Sequence, residues 1–127
     1  MAYNKTSEEN EQIALFCWAE YAMNQYPELK LMYHIPNEGK RSKVTGARLK
    51  AAGLKSGVPD ICLPTAHGGY IGLYIEMKAG KNKLTDNQEK WLNDLTREGN
   101  FTAVCYGWEQ AKEVIEKYLS MKRTLIF

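Results

Sequence analysis

Two acidic residues and a lysine occur at a spacing that suits the hydrolysis of phosphodiester bonds. Asp60 follows Pro59, and after fifteen intervening residues comes Glu76, two positions before Lys78. Both acids fall in segments otherwise rich in apolar residues, where an unpaired buried charge is costly. A divalent cation would pair with both carboxylates, activate water and offset charge developing on a phosphate. The lysine ammonium would orient or deprotonate the water, or stabilise the pentacovalent phosphate.

Two neighbouring strands must bring these side chains together. Tyr70–Lys78 has the clearest strand pattern, because apolar and polar residues alternate along it. Val58–Leu63 is a second strand candidate, and the His-Gly-Gly stretch at 67–69 predicts a tight hairpin turn between the two. Antiparallel pairing would then place Asp60 beside Glu76, and the two-residue period puts the lysine on the same face, about 7 Å further along. We expect Asp60 to have no partner other than the metal.

The other segments predict an α/β protein with the order α-β-α-β-β-α-β-α. A first helix is expected over Thr6–Tyr26, with a capping box at its start and a broad apolar face formed by Ile13, Ala14, Phe16, Cys17, Trp18 and Tyr21. The remaining elements are strands at Leu31–Ile35 and Phe101–Tyr106, and helices at Val44–Ala52, from a Thr85 cap to Gly99, and at Trp108–Met121.

Composition excludes several classes of protein. The length of 127 residues predicts one domain, and 44% apolar residues are enough for a core. Three widely spaced cysteines without a CxxC pair are not typical of a disulfide scaffold or a zinc ribbon. No apolar run approaches the roughly 20 residues of a membrane span, and the N-terminus does not resemble a secretion signal. We therefore expect an intracellular protein.

Positive charge is concentrated in one segment. The formal net charge is only +2, yet residues 40–55 contain six basic residues and no acidic one, whereas the rest of the chain has 11 basic and 15 acidic residues. Such a segment could neutralise DNA phosphates, although a solvated helix face would look the same. The basic residues are Lys40, Arg41, Lys43, Arg48, Lys50 and Lys55, and a second basic loop at 80–84 adds Lys81 and Lys83.

Neither histidine lies at a spacing typical of metal ligands. We expect His34 to pack within its strand and His67 to be exposed at the turn.

Pro59-Asp60 followed by Glu76-Met77-Lys78 resembles the signature of the PD-(D/E)xK nuclease superfamily. More narrowly, the chain resembles a stand-alone VRR-NUC (virus-type replication-repair nuclease) domain of the kind found in phages, over nearly its whole length. Beyond the signature, the matching residues are those at 35–39, Gly57 and Val58, those at 72–75, Leu84, Gln88, Trp91, and those at 104–108.

The resemblance implies a restriction-endonuclease-like core, in which helices flank a central mixed sheet, and a site that binds Mg²⁺ or Mn²⁺. Asp60, Glu76 and the backbone carbonyl of Met77 would bind the metal. Lys78 corresponds to the catalytic lysine, and Gln88 to the active-site glutamine of the family. The first helix of such nucleases often adds an acid, and here Glu8 and Glu11 remain equal alternatives.

The resemblance also implies a metal-dependent, structure-specific DNA endonuclease, similar to Holliday-junction resolvases. Such an enzyme would bind branched DNA as a homodimer in the cytoplasm of a phage-infected bacterial host. The helix at 7–26 and the C-terminal residues 125–127 are candidates for the dimer interface. Three alternatives stay open: a catalytically silent DNA-binding module on a nuclease fold, a monomeric nicking or flap-type nuclease, and a protein-interaction module.

Overall fold

The computed structural model describes residues 5–36 and 43–124, apart from the side chains of Lys5, Thr6 and Lys43. The elements of these residues are α1 (Lys5–Ala22), a 3-10 helix (Pro27–Leu31), β1 (Tyr33–His34), α2 (Lys43–Ala51), β2 (Ile61–Leu63), β3 (Leu73–Lys78), α3 (Asp86–Arg97), β4 (Phe101–Tyr106) and α4 (Trp108–Ser120). The predicted order is confirmed, with the 3-10 helix as an addition. None of the helices described is long and apolar enough to cross a membrane.

The strands form one mixed sheet in the order β1-β2-β3-β4. The first three strands pair antiparallel, whereas β4 runs parallel to β3 and pairs with it along all six residues. The longer strand β3 therefore lies inside the sheet, between β2 and β4. This arrangement confirms the α/β class with helices around a central mixed sheet.

Alternation along β3 separates the hydrophobic core from the predicted site. Leu73, Ile75 and Met77 are buried in one cluster with residues of α1 and α4, including Leu15 and Ile115. Successive side chains of a strand point to opposite faces, so the polar residues of β3 point away from this cluster. Helix α3 lies on the opposite side of the sheet, because its Gln88 donates a hydrogen bond to Glu76 there. The layers are therefore α1 with α4, then the sheet, then α3.

Helix α1 buries only part of the broad apolar face predicted for it, since Phe16 and Trp18 pack against the core. Its fully buried residues are Leu15 and Ala19, whereas Ile13 is 55% exposed, Tyr21 is 84% exposed and Cys17 is also exposed. Apolar residues surround this helix, so periodicity does not distinguish its two faces. The helix also ends at Ala22, four residues before the predicted end, and the 3-10 helix begins at Pro27.

The connection between β2 and β3 is longer than a tight hairpin, because it takes residues 64–72. A turn does close where Tyr70 N–H donates to His67 O over 2.9 Å. However, the C-terminal segment packs against this loop, with Gly68 N–H donating to Lys122 O. His67 is consequently buried, and its Nδ1 lies 3.0 Å from Met121 O, so the expectation of an exposed His67 was wrong.

Strand β1 is shorter than the predicted Leu31–Ile35, because residues 27–31 form the 3-10 helix. It lies at the edge of the sheet. His34 is exposed there, with its Nδ1 2.9 Å from the backbone oxygen of Asp60, and it is not packed as expected.

Candidate active site

Asp60 and Glu76 meet on the face of the sheet opposite the core. Ile61 of β2 pairs with Ile75 of β3 in antiparallel register, which brings the preceding Asp60 opposite the following Glu76. Asp60 Oδ2 also accepts a hydrogen bond of 2.8 Å from the backbone N–H of Met77. The expectation that Asp60 has no protein partner was therefore wrong, since this bond ties its carboxylate to β3.

Burial strongly perturbs the Glu76 carboxyl group. Its side chain is only 2% exposed, and burial, followed by the charge of the adjacent Asp60, raises the pKa of Glu76 to about 9. The charge of Glu8 also raises this pKa, whereas the Lys78 ammonium lowers it. Without a bound cation, Glu76 therefore holds its proton at neutral pH, because two adjacent carboxylates cannot both ionise cheaply in a buried site.

One oxygen of Glu76 has no hydrogen-bond partner. Among the described buried side chains, Glu76 Oε1 and Thr65 Oγ1 are the unpartnered polar atoms. The other carboxyl oxygen of Glu76 lies 3.3 Å from Gln88 Nε2, which donates to it. A buried acceptor without a partner is costly, and a ligand at this point would remove the cost.

Lys78 lies on the same face of β3 as Glu76, as the alternation predicts. It is 5% exposed, which is uncommon for a lysine that lacks a nearby negative charge. The positive charge of its ammonium lowers the pKa of Glu76. The three predicted residues Asp60, Glu76 and Lys78 therefore share one face of the sheet.

Gln88 joins the site through the start of α3. Thr85 caps this helix in a reciprocal capping box, in which Thr85 Oγ1 accepts from Gln88 N–H and Gln88 Oε1 accepts from Thr85 N–H. The capping bond directs the carbonyl end of the Gln88 amide toward Thr85, so its amino end is left to donate to Glu76. The local capping signal thus also orients Gln88 in the site.

The two candidate acids of α1 have different partners. Glu8 Oε2 accepts a hydrogen bond of 2.7 Å from Asn82 Nδ2, and Glu8 acts electrostatically on Glu76. Glu11 Oε1 instead accepts from the backbone N–H of Trp108, the first residue of α4. Glu11 therefore caps a helix, whereas Glu8 is held by Asn82, four residues after the end of β3.

The donor set suits a hard divalent cation. Asp60 and Glu76 offer carboxylate oxygens, one of them unpartnered. In a strand, the N–H and C=O groups of one residue point to the same side. The carbonyl of Met77 therefore points to the same side of β3 as its N–H, which donates to Asp60. No group of three or more His, Cys, Asp or Glu side chains within the described ranges could hold a metal ion alone. A cation here would need the backbone and water to complete its coordination.

The predicted DNA-contacting residues are only partly described. Arg48, Lys50, Lys55, Lys81 and Lys83 are exposed. Lys40, Arg41 and the side chain of Lys43 lie outside the described residues. Residues 44–51 of α2 include no buried side chain, so this helix presents its charges to solvent.

Comparison with known proteins agrees with this geometry. The family model of the VRR-NUC domain matches residues 6–109. A solved structure named "VRR_NUC domain protein" is 25% identical, with a TM-score of 0.77, and the match covers 95% of this chain and 94% of that one. No curated protein matches the sequence closely enough to count as a relative. The architecture is accordingly a nuclease fold, and the chain belongs to the VRR-NUC domain family.

Proposed function

We propose that this protein is a metal-dependent endonuclease that hydrolyses phosphodiester bonds in DNA. The observation that supports this most is the buried carboxyl group of Glu76, which has an unpartnered oxygen, lies beside Asp60 and shares its face with Lys78. A structural role explains poorly why an acidic pair and a lysine are buried together, because buried charges destabilise a fold unless they are paired.

Each residue of the site has a distinct role in this proposal. Asp60, Glu76 and the carbonyl of Met77 would hold Mg²⁺ or Mn²⁺. The bound ion would activate water and offset negative charge on the phosphate. Lys78 would orient the attacking water or stabilise the phosphate with its ammonium. Gln88 would hold one oxygen of Glu76 in place.

Cleavage of a branched DNA with and without divalent cation tests the proposal. We expect Mg²⁺ or Mn²⁺ to support cleavage, chelator to abolish it, and Glu76→Gln or Lys78→Met to lower it by at least about 100-fold. Glu89→Gln, on the exposed side of α3, is a matched control and should cleave normally. If the unaltered protein binds DNA but never cuts it, a catalytically silent binding module is the better description.

Exposed basic residues around the fold would supply the affinity for DNA. If Arg48 and Lys55 contact phosphates, replacing both with alanine should make the slope of log K against log salt concentration shallower by about 1.8, which is 0.9 for each lost contact. Lys117→Ala, on α4 at the other side of the sheet, should leave the salt dependence unchanged. An equal effect of both variants would mean that the Arg48 segment faces solvent in the complex.

A homodimer acting on branched DNA is the finer part of the proposal. Resolving a two-fold symmetric junction takes two cuts, and one chain offers one Asp60 site, so two copies related by a two-fold axis are required. The exposed residues Ile13, Cys17 and Tyr21 along α1 offer an apolar stripe for this contact. Light scattering should detect a dimer of the unaltered protein. The double variant Ile13→Glu, Tyr21→Glu should be a monomer in the same measurement. A monomer, on DNA and off it, would favour a nicking or flap-type nuclease.

A further inference from the structure

Asn82 connects three elements at the edge of the candidate site. Its side-chain Nδ2 donates to Glu8 Oε2 of α1 over 2.7 Å. Its backbone oxygen accepts a bond of 2.7 Å from the hydroxyl of Tyr106, at the end of β4. Its own N–H donates to Ala79 O, which closes a turn directly after β3. Two backbone hydrogen bonds, one to Ala79 directly after β3 and one from Tyr106 at the end of β4, thus fix the position of Asn82.

Glu8 needs such a restraint. It lies in the first turn of α1 and is only half-buried, so its long side chain has several rotamers available. The negative charge of the Asp60 and Glu76 pair repels a third carboxylate and would drive it toward solvent. Among the described residues, Asn82 is the hydrogen-bond donor that the structure shows on the Glu8 carboxylate.

We propose that Asn82 is a positioning residue that holds the Glu8 carboxylate at the carboxyl end of β3, so that the negative charge of Glu8 adds to the affinity of the Asp60 and Glu76 pair for a divalent cation. This inference rests on the proposed metal-dependent function. Tyr106 supports the arrangement by fixing the loop that carries Asn82. No sequence pattern marks Asn82, because its contact with Glu8 spans 74 positions of the chain.

Calorimetric titration of the full chain with Mn²⁺ tests this role without any measurement of cleavage. Asn82→Ala should weaken Mn²⁺ binding about 10-fold. This is the lower end of the loss of metal affinity that follows when a residue that orients a metal-site side chain is removed. Asn93→Ala, an exposed asparagine on α3, is the matched control and should bind like the unaltered protein. Thermal melts of each variant without metal verify that it is folded.

A double-mutant cycle separates positioning of Glu8 from a general effect on the loop. Asn82→Ala should cost nothing further in a Glu8→Gln background, because Asn82 acts through the Glu8 carboxylate. Equal losses in both backgrounds, unchanged binding, or tighter binding in Asn82→Ala would overturn the inference and leave the proposed function intact. Failure of the unaltered protein to bind Mn²⁺ would overturn both.

Discussion

Replacing Glu76 with glutamine should make the metal-free protein more stable, and increasingly so as the pH rises. The pKa of Glu76 is raised from 4.5 to about 9 in the folded protein, chiefly by burial and then by Asp60. A carboxyl group whose pKa is raised by folding contributes its full stabilisation when the pH is below its pKa in the unfolded chain. This contribution is lost as the pH rises toward the pKa of the group in the folded protein. Between pH 4.5 and 9, unfolding therefore releases the Glu76 proton and becomes progressively easier.

The size of the effect follows from the width of that window. Each pH unit inside it changes the free energy of unfolding by about 1.4 kcal/mol. From pH 5.5 to 8.5, Glu76 would cost the unaltered protein about 4 kcal/mol, an upper limit because water that enters the site lowers the penalty. Glutamine has the same shape and no proton to lose, so this part of the pH dependence disappears in Glu76→Gln.

Urea unfolding with excess chelator at a series of pH values, followed by tryptophan fluorescence, measures the difference. Groups that do not interact with Glu76 titrate alike in the two proteins, so the gap between their unfolding free energies reports Glu76 together with its coupling to the neighbouring charges. Glu89→Gln is the control, because its exposed carboxyl group should give no such gap. A gap between Glu76→Gln and the unaltered protein that stays constant from pH 5.5 to 8.5 would refute the buried, protonated state of Glu76.

Three further outcomes follow from the same contacts. Millimolar Mn²⁺ at pH 8 should raise the melting temperature of the unaltered protein and not that of Glu76→Gln, since an ion that binds only the folded state stabilises it; equal shifts would place the ion elsewhere. Asp60→Ala should lower the free energy of unfolding at pH 5 by about 1–3 kcal/mol, because Met77 N–H loses its acceptor. Asp60→Asn keeps an acceptor oxygen and should not show this loss in the same urea titration. Gly57→Ala should cost at least about 1–2 kcal/mol, because Gly57 has φ +88° and an added Cβ would lie 2.8 Å from the backbone of Asn87; normal stability in urea would refute the close approach.

Local patterns in the sequence determined the elements that hold the site. Alternation along β3 placed Glu76 and Lys78 on one face, and the structure agrees, although the strand starts at Leu73. The capping signal at Thr85 and Gln88 marked the start of α3, and β4 has the predicted bounds. These features are predictable because strand periodicity and helix capping depend on residues a few positions apart.

The choice between Glu8 and Glu11 could not be made from the sequence. The two acids are one helical turn apart and have similar neighbours along the chain. They differ because Asn82 reaches one of them and the start of α4 reaches the other. Both contacts join distant segments, and no local pattern encodes them.

The orientation of whole elements was likewise decided only by tertiary packing. Helix α1 has apolar residues on several sides, and its contacts with α4 and β3 select Leu15 and Ala19 for burial while Ile13 stays exposed. His67 looks like a turn residue in the sequence, yet it is buried because the C-terminal segment packs over its loop. Sequence patterns therefore determined which residues could share a face, whereas the fit between distant surfaces determined which face was buried and which acid of α1 meets the loop after β3.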